Sequence, residues 1–317
     1  MVTIYCRNTG TKKEFTEGLT LLEILSGFEF EQPYPIIAAK VNNVTQGLKF
    51  RIFNSRDVEF LDYRAYAGRN VYSSSLCFLA SKAAEDVFPG SRLSMKRPIS
   101  KGYYCTLEKA DGSQCTPEDV AMISRRMTEI VEKDLSIRRH EVQQEEAIEI
   151  FRKRGYEDKV KLISTTDMVY VTFYTIGDSI DYYCYPLVPS TGYLKVWSFT
   201  PYKGGVLLRL PDRHHPEQLA PFFEQPKTFD IFSESNRWNS IMDLGTVGDL
   251  NIACQNGRAT DLIQISEALQ EKKIVQIAEE IDRRFRQDHG VRIVLITGPT
   301  SSGKSTFCKR LSIQLKA

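Results

Sequence analysis

The segment that most restricts how this chain can fold is GPTSSGKS, residues 298–305. It follows VRIVLIT, a short apolar run rich in β-branched residues, which predicts a buried strand. It precedes KSTFCKRLSIQL, whose apolar residues recur at helical spacing. The chain is therefore expected to place a glycine-rich loop between a strand and the start of a helix. The predicted apolar stripe of that helix is Phe307, Leu311 and Leu315.

This segment matches the phosphate-binding pattern G-x-x-x-x-G-K-[ST] at each fixed position. Backbone N–H groups must approach phosphate oxygens closely, and side chains at Gly298 and Gly303 would obstruct them. Lys304 is expected to reach the β- and γ-phosphates of ATP as the catalytic residue, and the Ser305 hydroxyl to bind Mg²⁺. The predicted nucleotide-binding residues are Gly298, Thr300, Ser301, Ser302, Gly303, Lys304, Ser305 and Thr306.

Composition describes an ordinary globular protein. The 317 residues are 42% hydrophobic and 26% charged, which predicts two or three domains. The balance of 42 basic against 40 acidic residues argues against bulk attraction to nucleic acid or membranes. Seven cysteines without a CxxC pair predict free thiols rather than a disulfide framework or a zinc ribbon. With neither a signal peptide nor an apolar run long enough for a bilayer, we expect a cytoplasmic protein without a membrane partner.

The first 60 or so residues predict a four- or five-stranded mixed sheet on one helix. Val2, Ile4 and Cys6 alternate inward, a turn follows at residues 8–10, and a helix is expected to start near Thr20. Further strands are predicted in YPIIAAKVNNVTQGLKFRI and RDVEFLDY.

Residues 1–62 resemble the TGS domain, a ubiquitin-like β-grasp module named for threonyl-tRNA synthetase and certain GTPases. The stretches FTEGLTLLEIL and AAKVNN carry the resemblance, with Gly18 and Leu21 at the turn into the helix. The alternative is any other small α+β domain.

The middle of the chain predicts alternating helices and strands, so the fold class of the whole is expected to be α+β. Thr116 can cap a helix and Pro117 suits its first position. The predicted order is a helix over 73–87, two strands joined at 101–102, a helix from 117, a strand in LSIRRHEV, a helix in QEEAIEIFRKRG and a strand-rich region up to about 212.

Residues 63–225 resemble the second additional domain of threonyl- and alanyl-tRNA synthetases, which hydrolyses mischarged tRNA. The stretches FPGSRLSMKRPISKGYYCTLE and PLVPSTGYLKVWSFTPYKGG carry the resemblance. Their position after a TGS-like unit agrees with it.

The resemblance also implies where an editing site would lie. That family uses an HxxxH on its first helix and a Cys or Ser with a His four residues later. The four positions fall on Tyr72, Leu76, Tyr183 and Leu187 of this sequence. Leu offers no lone pair, and neutral Tyr is a poor metal ligand at pH 7. These are therefore degenerate editing-site positions, and no zinc is expected.

The remaining histidines and Cys184 do not replace the missing ligands. His214 and His215 are adjacent, so their side chains diverge, while His140 and His289 stand alone among charged residues. All four are interpreted as surface or capping histidines, and Cys184 as a buried structural cysteine.

A basic turn offers a candidate contact for single-stranded RNA or a nucleotide, because it mixes cations with tyrosines. The favoured alternative is a solvated strand edge with core aromatics. The turn consists of Lys96, Arg97, Lys101, Tyr103 and Tyr104. The pairs 125–126 and 138–139 are interpreted as surface arginines.

Residues 226–290 predict a helical connector, and residues 291–317 the start of a P-loop kinase domain. GPTSSGKSTF followed by KRL resembles the loop of uridine kinases, and the whole layout resembles a bacterial nucleoside kinase family with TGS and synthetase-like appendages. That resemblance implies transfer of the ATP γ-phosphate to the 5′-hydroxyl of uridine or cytidine. Twelve residues follow Ser305, so the kinase domain is expected to be truncated and this chain inactive.

Two apolar sets follow from this interpretation. The connector stripe is Ile274, Ile277, Ala278, Ile281 and Phe285. The residues expected to lack cover, because a lone strand and helix cannot bury them, are Val294, Ile296, Leu311 and Leu315.

Three functions compete at this point. The first is the N-terminal portion of an ATP-dependent nucleoside kinase, with a nucleoside and ATP as partners. The second is a non-catalytic RNA- or tRNA-binding or regulatory module derived from a synthetase editing domain. The third, a free-standing aminoacyl-ester hydrolase, is weakened by the four degenerate positions.

Overall fold

The computed structural model describes residues 1–287 and 290–317. It divides into two compact units, Met1–Arg237 and Trp238–Ala317. Helices and three sheets occur together in the described residues, which agrees with the predicted α+β class. The predicted domain limits after residues 62, 225 and 290 stay predictions. Each helix with a described structure is too short or too polar to cross a membrane.

The strands all lie in the first unit as far as the structure describes it. They are β1 Val2–Cys6, β2 Thr11–Phe15, β3 Ala38–Val41, β4 Val44–Gly47, β5 Arg56–Leu61, β6 Arg92–Ile99, β7 Gly102–Glu108, β8 Ile137–Gln143, β9 Tyr170–Ile176, β10 Ser179–Asp181, β11 Ser198–Tyr202 and β12 Gly205–Arg209. The helices are α1 Leu21–Leu25, α2 Tyr66–Val87, α3 Pro117–Glu132, α4 Gln144–Lys153, α5 Glu157–Ser164, α6 Pro226–Ile241, α7 Val247–Gln255, α8 Ala259–Phe285 and α9 Lys304–Gln314, with one 3-10 turn at Thr191–Tyr193.

The first 61 residues form a five-stranded sheet with the order β2-β1-β5-β3-β4. Strands β1 and β5 are parallel, and the other pairs are antiparallel, so the predicted mixed sheet is present. Thr20 caps α1 because its hydroxyl accepts from the Glu23 N–H at 3.2 Å while the Glu23 carboxylate accepts from the Thr20 N–H at 2.7 Å. This helix packs Leu21 and Ile24 into the core against the buried face of β1.

Two further sheets have the orders β11-β12-β7-β6 and β10-β9-β8. Helix α3 begins at Pro117 with Thr116 as its cap, as the sequence predicts. Helix α2 starts at Tyr66, seven residues before the predicted start. Gly68 lies in this first turn, and a Cβ there would lie 2.0 Å from the Asp62 carbonyl oxygen, so only glycine lets the turn pack closely.

In the second unit, α9 packs on α8. Ile274, Ala278 and Leu311 are buried together, which confirms most of the predicted connector stripe, although Phe285 is 51% exposed. The strand predicted over residues 291–297 is wrong, since no strand is assigned to any described residue of this unit. An isolated strand lacks a ladder partner for its backbone groups.

The expectation of uncovered apolar residues in this unit is right only in part. Val294 and Leu315 are each 45% exposed. Leu311 is buried by α8, and Ile296 packs against the same cluster. The helix after the loop therefore packs on α8, and the segment before the loop contributes Ile296 to the same cluster.

Candidate nucleic-acid interface

Positions Tyr72 and Leu76, which the resemblance aligns with the HxxxH histidines, lie one turn apart on α2. The Tyr72 hydroxyl donates to the Val196 carbonyl at 3.0 Å and accepts from the Val196 N–H at 3.1 Å. Leu76 is completely buried. Both side chains thus hold the fold together, and neither presents a free lone pair to a cavity.

Tyr183 and Leu187, the other two aligned positions, belong to the same apolar cluster as Tyr72 and Leu76. The Tyr183 ring lies 5.6 Å from the ring of Phe78. Burial, with Asp181 nearby, raises the pKa of the Tyr183 phenol well above its usual value, so it stays neutral. The structure brings the four positions together, but as packing.

Zinc does not fit this set of donors. A tetrahedral zinc site needs thiolate, imidazole or carboxylate ligands. Within residues 1–287 and 290–317, no group of three or more such side chains could hold a metal ion.

The structure corrects one residue near this cluster and places the histidines. Cys184 is exposed, so its interpretation as a buried cysteine is wrong. His140 is half-buried, stacked on Phe173 with the ring centroids 5.1 Å apart. His214 and His215 are exposed, and His289 lies outside the described residues.

A groove of about 620 Å³ lies beside the last two aligned positions. Its walls are the segment 45–51, the first half of β8, and the segment 183–189. No aspartate or glutamate is among the residues that line it. We call it the basic groove, after Lys49, Arg51, Arg138 and Arg139, which line it.

Lys49 and Arg51 are held in place by the backbone. The Lys49 ammonium donates to the Ser136 hydroxyl at 2.7 Å and to the carbonyls of Ile137 and Pro189 at 3.0 and 2.7 Å. Burial, with Arg138 nearby, lowers the pKa of this ammonium. Arg51 donates to the Gly18 carbonyl at 2.6 Å. The groove therefore has two preorganised positive charges at one wall.

Arg138 and Arg139 are exposed on β8, which is an edge strand of its sheet. Arg139 donates to the Thr172 hydroxyl at 2.9 Å and pairs with Glu141. Arg138 forms no ion pair with any described residue and is free to bind an external anion. A guanidinium can bind a phosphate through two parallel N–H bonds.

A larger cleft, of about 1280 Å³, lies elsewhere in the first unit. We call it the aromatic cleft, because Tyr34, Tyr63, Tyr72, Tyr193, Trp197 and Phe199 line it. Its charged residues are three carboxylates and one lysine, namely Glu132, Asp134, Glu217 and Lys195. This surplus of negative charge disfavours a phosphate backbone.

The predicted basic turn is largely covered by the chain itself. Tyr103 packs against the core cluster, and the Tyr104 ring lies 5.0 Å from that of Phe229. Arg97 lies over the ring of Phe232 at 5.5 Å. The favoured alternative of core aromatics on a strand edge is therefore the better description of this turn as it stands.

The GPTSSGKS segment forms a loop that ends where α9 begins. Ser301 and Gly303 adopt left-handed backbone conformations, with φ of 61° and 78°. The Lys304 ammonium folds back and donates to the carbonyls of Gly298 and Pro299 at 2.9 and 2.6 Å. The nucleotide-binding role of these residues stays a prediction.

No family model matches the chain. Curated relatives do match, among them three bacterial threonine–tRNA ligases. That of Syntrophomonas wolfei subsp. wolfei is 30% identical over 187 residues, 59% of this chain and 29% of the relative. That of Syntrophotalea carbinolica is 31% identical over 197 residues, which are 62% of this chain and 31% of the relative. That of Azobacteroides pseudotrichonymphae is 27% identical over 200 residues, which are 63% of this chain and 31% of the relative.

These matches overturn the main functional prediction. The nucleoside kinase assignment depended on one eight-residue loop pattern and on a layout, whereas the similarity to threonine–tRNA ligases extends over close to 190 residues. The kinase prediction is wrong, and the alternative of a synthetase-related module fits better. The chain spans less than a third of the length of the relatives it matches, and about three fifths of it is similar to them.

Proposed function

We propose that the first unit is a non-catalytic tRNA-binding module of synthetase origin, with a TGS-like domain followed by an editing-like domain. The observation that carries the proposal is the basic groove, which is lined by two lysine or arginine residues on each of two walls and by no carboxylate. It lies beside Tyr183 and Leu187, where the resemblance places half of an editing site. A phosphate backbone that approached this edge would meet a surplus of positive charge, with Glu141 paired to Arg139 as the nearby carboxylate.

The chemistry of the groove suits backbone phosphates better than bases. Lysine and arginine contacts to phosphate supply most of the sequence-independent affinity of nucleic-acid binding, through release of counterions. Lys49 and Arg51 are fixed by hydrogen bonds, so little side-chain entropy is lost when an anion binds beside them. Exposed Arg138 and Arg139 supply the flexible contacts.

Ester hydrolysis is not part of this proposal. It would need a general base or an activated water beside the ester. The aligned positions hold two packed leucines and two neutral phenols instead.

The test is binding of a fluorescent tRNA transcript, followed by anisotropy at salt concentrations from about 50 to 200 mM. We expect binding that weakens with salt, and the double variant Arg138→Ala, Arg139→Ala should reduce the log–log salt slope by about 2. The matched control is Arg152→Ala, Lys153→Ala, which removes two exposed cations from α4 in the same unit. Equal losses in both variants, or no tRNA binding, would refute the proposal.

We also propose that residues 298–306 bind the phosphates of a nucleotide such as ATP together with Mg²⁺, with Lys304 on the phosphates and the Ser305 hydroxyl on the metal. The left-handed Ser301 and Gly303 and the start of α9 support it, since such turns aim backbone N–H groups at an anion. In equilibrium dialysis with Mg-ATP, Lys304→Ala should weaken binding at least about tenfold. Lys309→Ala, an exposed lysine of the same helix, should not.

A further inference from the structure

The outer face of the sheet β11-β12-β7-β6 is covered by residues 220–232, which we call the phenylalanine strap. The strap carries four phenylalanines, and each lies under a cation of the sheet strands or of the turns that join them. The pairs are Phe222 with Arg209 at 5.9 Å, Phe223 with Lys101 at 5.8 Å, Phe229 with Lys203 at 4.8 Å, and Phe232 with Arg97 at 5.5 Å, each from the cation to the ring centroid.

Two tyrosines complete the covered surface. The Phe229 ring lies edge-on to Tyr104 at 5.0 Å and to Tyr202 at 5.8 Å. Tyr202 also contacts the ring of Phe222 at 6.2 Å. We call these residues the cation–tyrosine face, which consists of Arg97, Lys101, Tyr104, Tyr202, Lys203 and Arg209.

The strap is anchored at its first residue, where the Arg209 guanidinium donates to the Ala220 carbonyl at 2.6 Å and the Ala220 N–H donates to the Leu210 carbonyl at 3.1 Å. Residues 221–232 are held by weaker contacts. The Phe223 N–H donates to the Ser100 hydroxyl at 2.7 Å, and the Ser100 N–H donates to the Gln225 side chain at 3.0 Å. Phe222 and Phe223 remain 42% and 56% exposed, and α6 has no buried residue. Exposed cation–π pairs contribute only about 0.5–1 kcal/mol each. A ligand that offers the same contacts with more charge can therefore displace the strap.

The strap resembles a nucleic-acid strand in its chemistry. Its aromatic rings cover cations and lie edge-on to tyrosines whose faces a base could stack on, and Glu224 lies 3.7 Å from the Lys203 ammonium, where a phosphate could lie. Stacking of a base on an aromatic side chain contributes about 1–3 kcal/mol, and backbone phosphates would add charge–charge attraction that phenylalanine lacks.

We propose that the cation–tyrosine face binds single-stranded RNA and that the phenylalanine strap covers it until such a strand displaces it. This inference extends the proposed RNA binding to a second surface. It does not require the basic groove, so the two can fail separately.

The test uses the full chain with Arg138→Ala and Arg139→Ala, which remove two cations of the basic groove. The ligand is a fluorescent oligouridine of about 12 nucleotides. Adding Phe229→Ser and Phe232→Ser should open the strap and raise the affinity about five- to tenfold. Adding Tyr104→Leu and Lys203→Ala to that variant should abolish the gain. Phe53→Ser, a 61% exposed phenylalanine elsewhere in the unit, is the control and should change nothing.

A second measurement does not depend on a substitution. Oligouridine added to the unaltered chain should accelerate limited proteolysis within residues 220–232, because a displaced strap becomes accessible. No affinity gain in the opened variant, or strap cleavage that oligouridine leaves unchanged, would overturn the inference. An equal gain for a polyglutamate peptide would overturn the assignment to RNA. If the groove variant lost tRNA binding while opening the strap still raised the affinity for oligouridine, the result would support both proposals.

Discussion

The basic groove and the aromatic cleft lie in the same compact unit, yet their linings carry opposite charge. The cleft is about twice as large, at 1280 against 620 Å³, and has the more extensive aromatic wall. The groove has no lining carboxylate, whereas the cleft has three. Volume alone would select the cleft as the binding site, but electrostatics favour the groove for a polyanion.

The two cavities share one buried cluster. Tyr72 lines the cleft, Tyr183 and Leu187 line the groove, and all three belong with Leu76 to the same apolar core. Where the synthetase resemblance would place ligands or bases, this chain has side chains that pack. The comparison teaches that two cavities built on one core can carry opposite charge, so the charge of the lining separates them better than their size does.

The largest expected effect comes from the cluster itself. Leu76→Ala should lower the free energy of unfolding by about 2–5 kcal/mol, because it leaves a cavity at a completely buried position. Urea denaturation followed by circular dichroism measures this. Leu22→Ala, at a 41% exposed position on α1, should change stability by no more than about 0.5 kcal/mol. Similar losses for the two variants would show that Leu76 is not part of a shared core.

The next effect separates the two cavities by charge. Arg138→Glu should weaken tRNA binding about tenfold, or ~1.4 kcal/mol, because a groove cation becomes an anion. Lys195→Glu makes the same change in charge at the aromatic cleft and should alter the affinity less than about twofold. Anisotropy titrations at one salt concentration compare them directly. If Lys195→Glu caused the larger loss, tRNA would have to be reassigned to the cleft.

The sequence predicts well those elements whose start or pattern is marked by residues within the element itself. Thr116 and Pro117 place the start of α3 correctly, and the alternation of Val2 and Ile4 places β1. Leucine at position 76 is recognisable from sequence as a residue without a metal-binding atom, and the structure places it in the core. The TGS and phosphate-loop assignments stay predictions.

The sequence predicts poorly what depends on distant residues. The bond from Lys49 to the Ile137 carbonyl spans 88 positions and brings Lys49 close to Arg138, and no local pattern marks that pairing. The apolar run at 291–297 has the composition of a strand, but composition cannot tell whether a neighbouring strand exists. Residue type alone predicts that Cys184 is buried, whereas it is exposed at the groove.

The smallest effect concerns Asp134, a carboxylate of the aromatic cleft that the fold itself uses. It accepts from the Ser190 hydroxyl and from the Gly192 N–H, the latter at 2.8 Å, and these bonds lower the pKa of Asp134 below its usual 3.8. A lowered carboxyl pKa stabilises the fold above the unfolded-state value, and the contribution is lost as the pH falls through the folded-state value.

Asp134→Asn should therefore cost about 1 kcal/mol at pH 7, and its difference from the unaltered chain should shrink as the pH falls below about 3.8. Asparagine tolerates the left-handed φ of 47° at this position as aspartate does, so the backbone is preserved. Urea midpoints across the acid range measure the effect, and Ser190→Ala, which removes one of the two donors, should show part of it. A difference that stays constant down to the acid limit would mean that the Asp134 charge contributes nothing to stability.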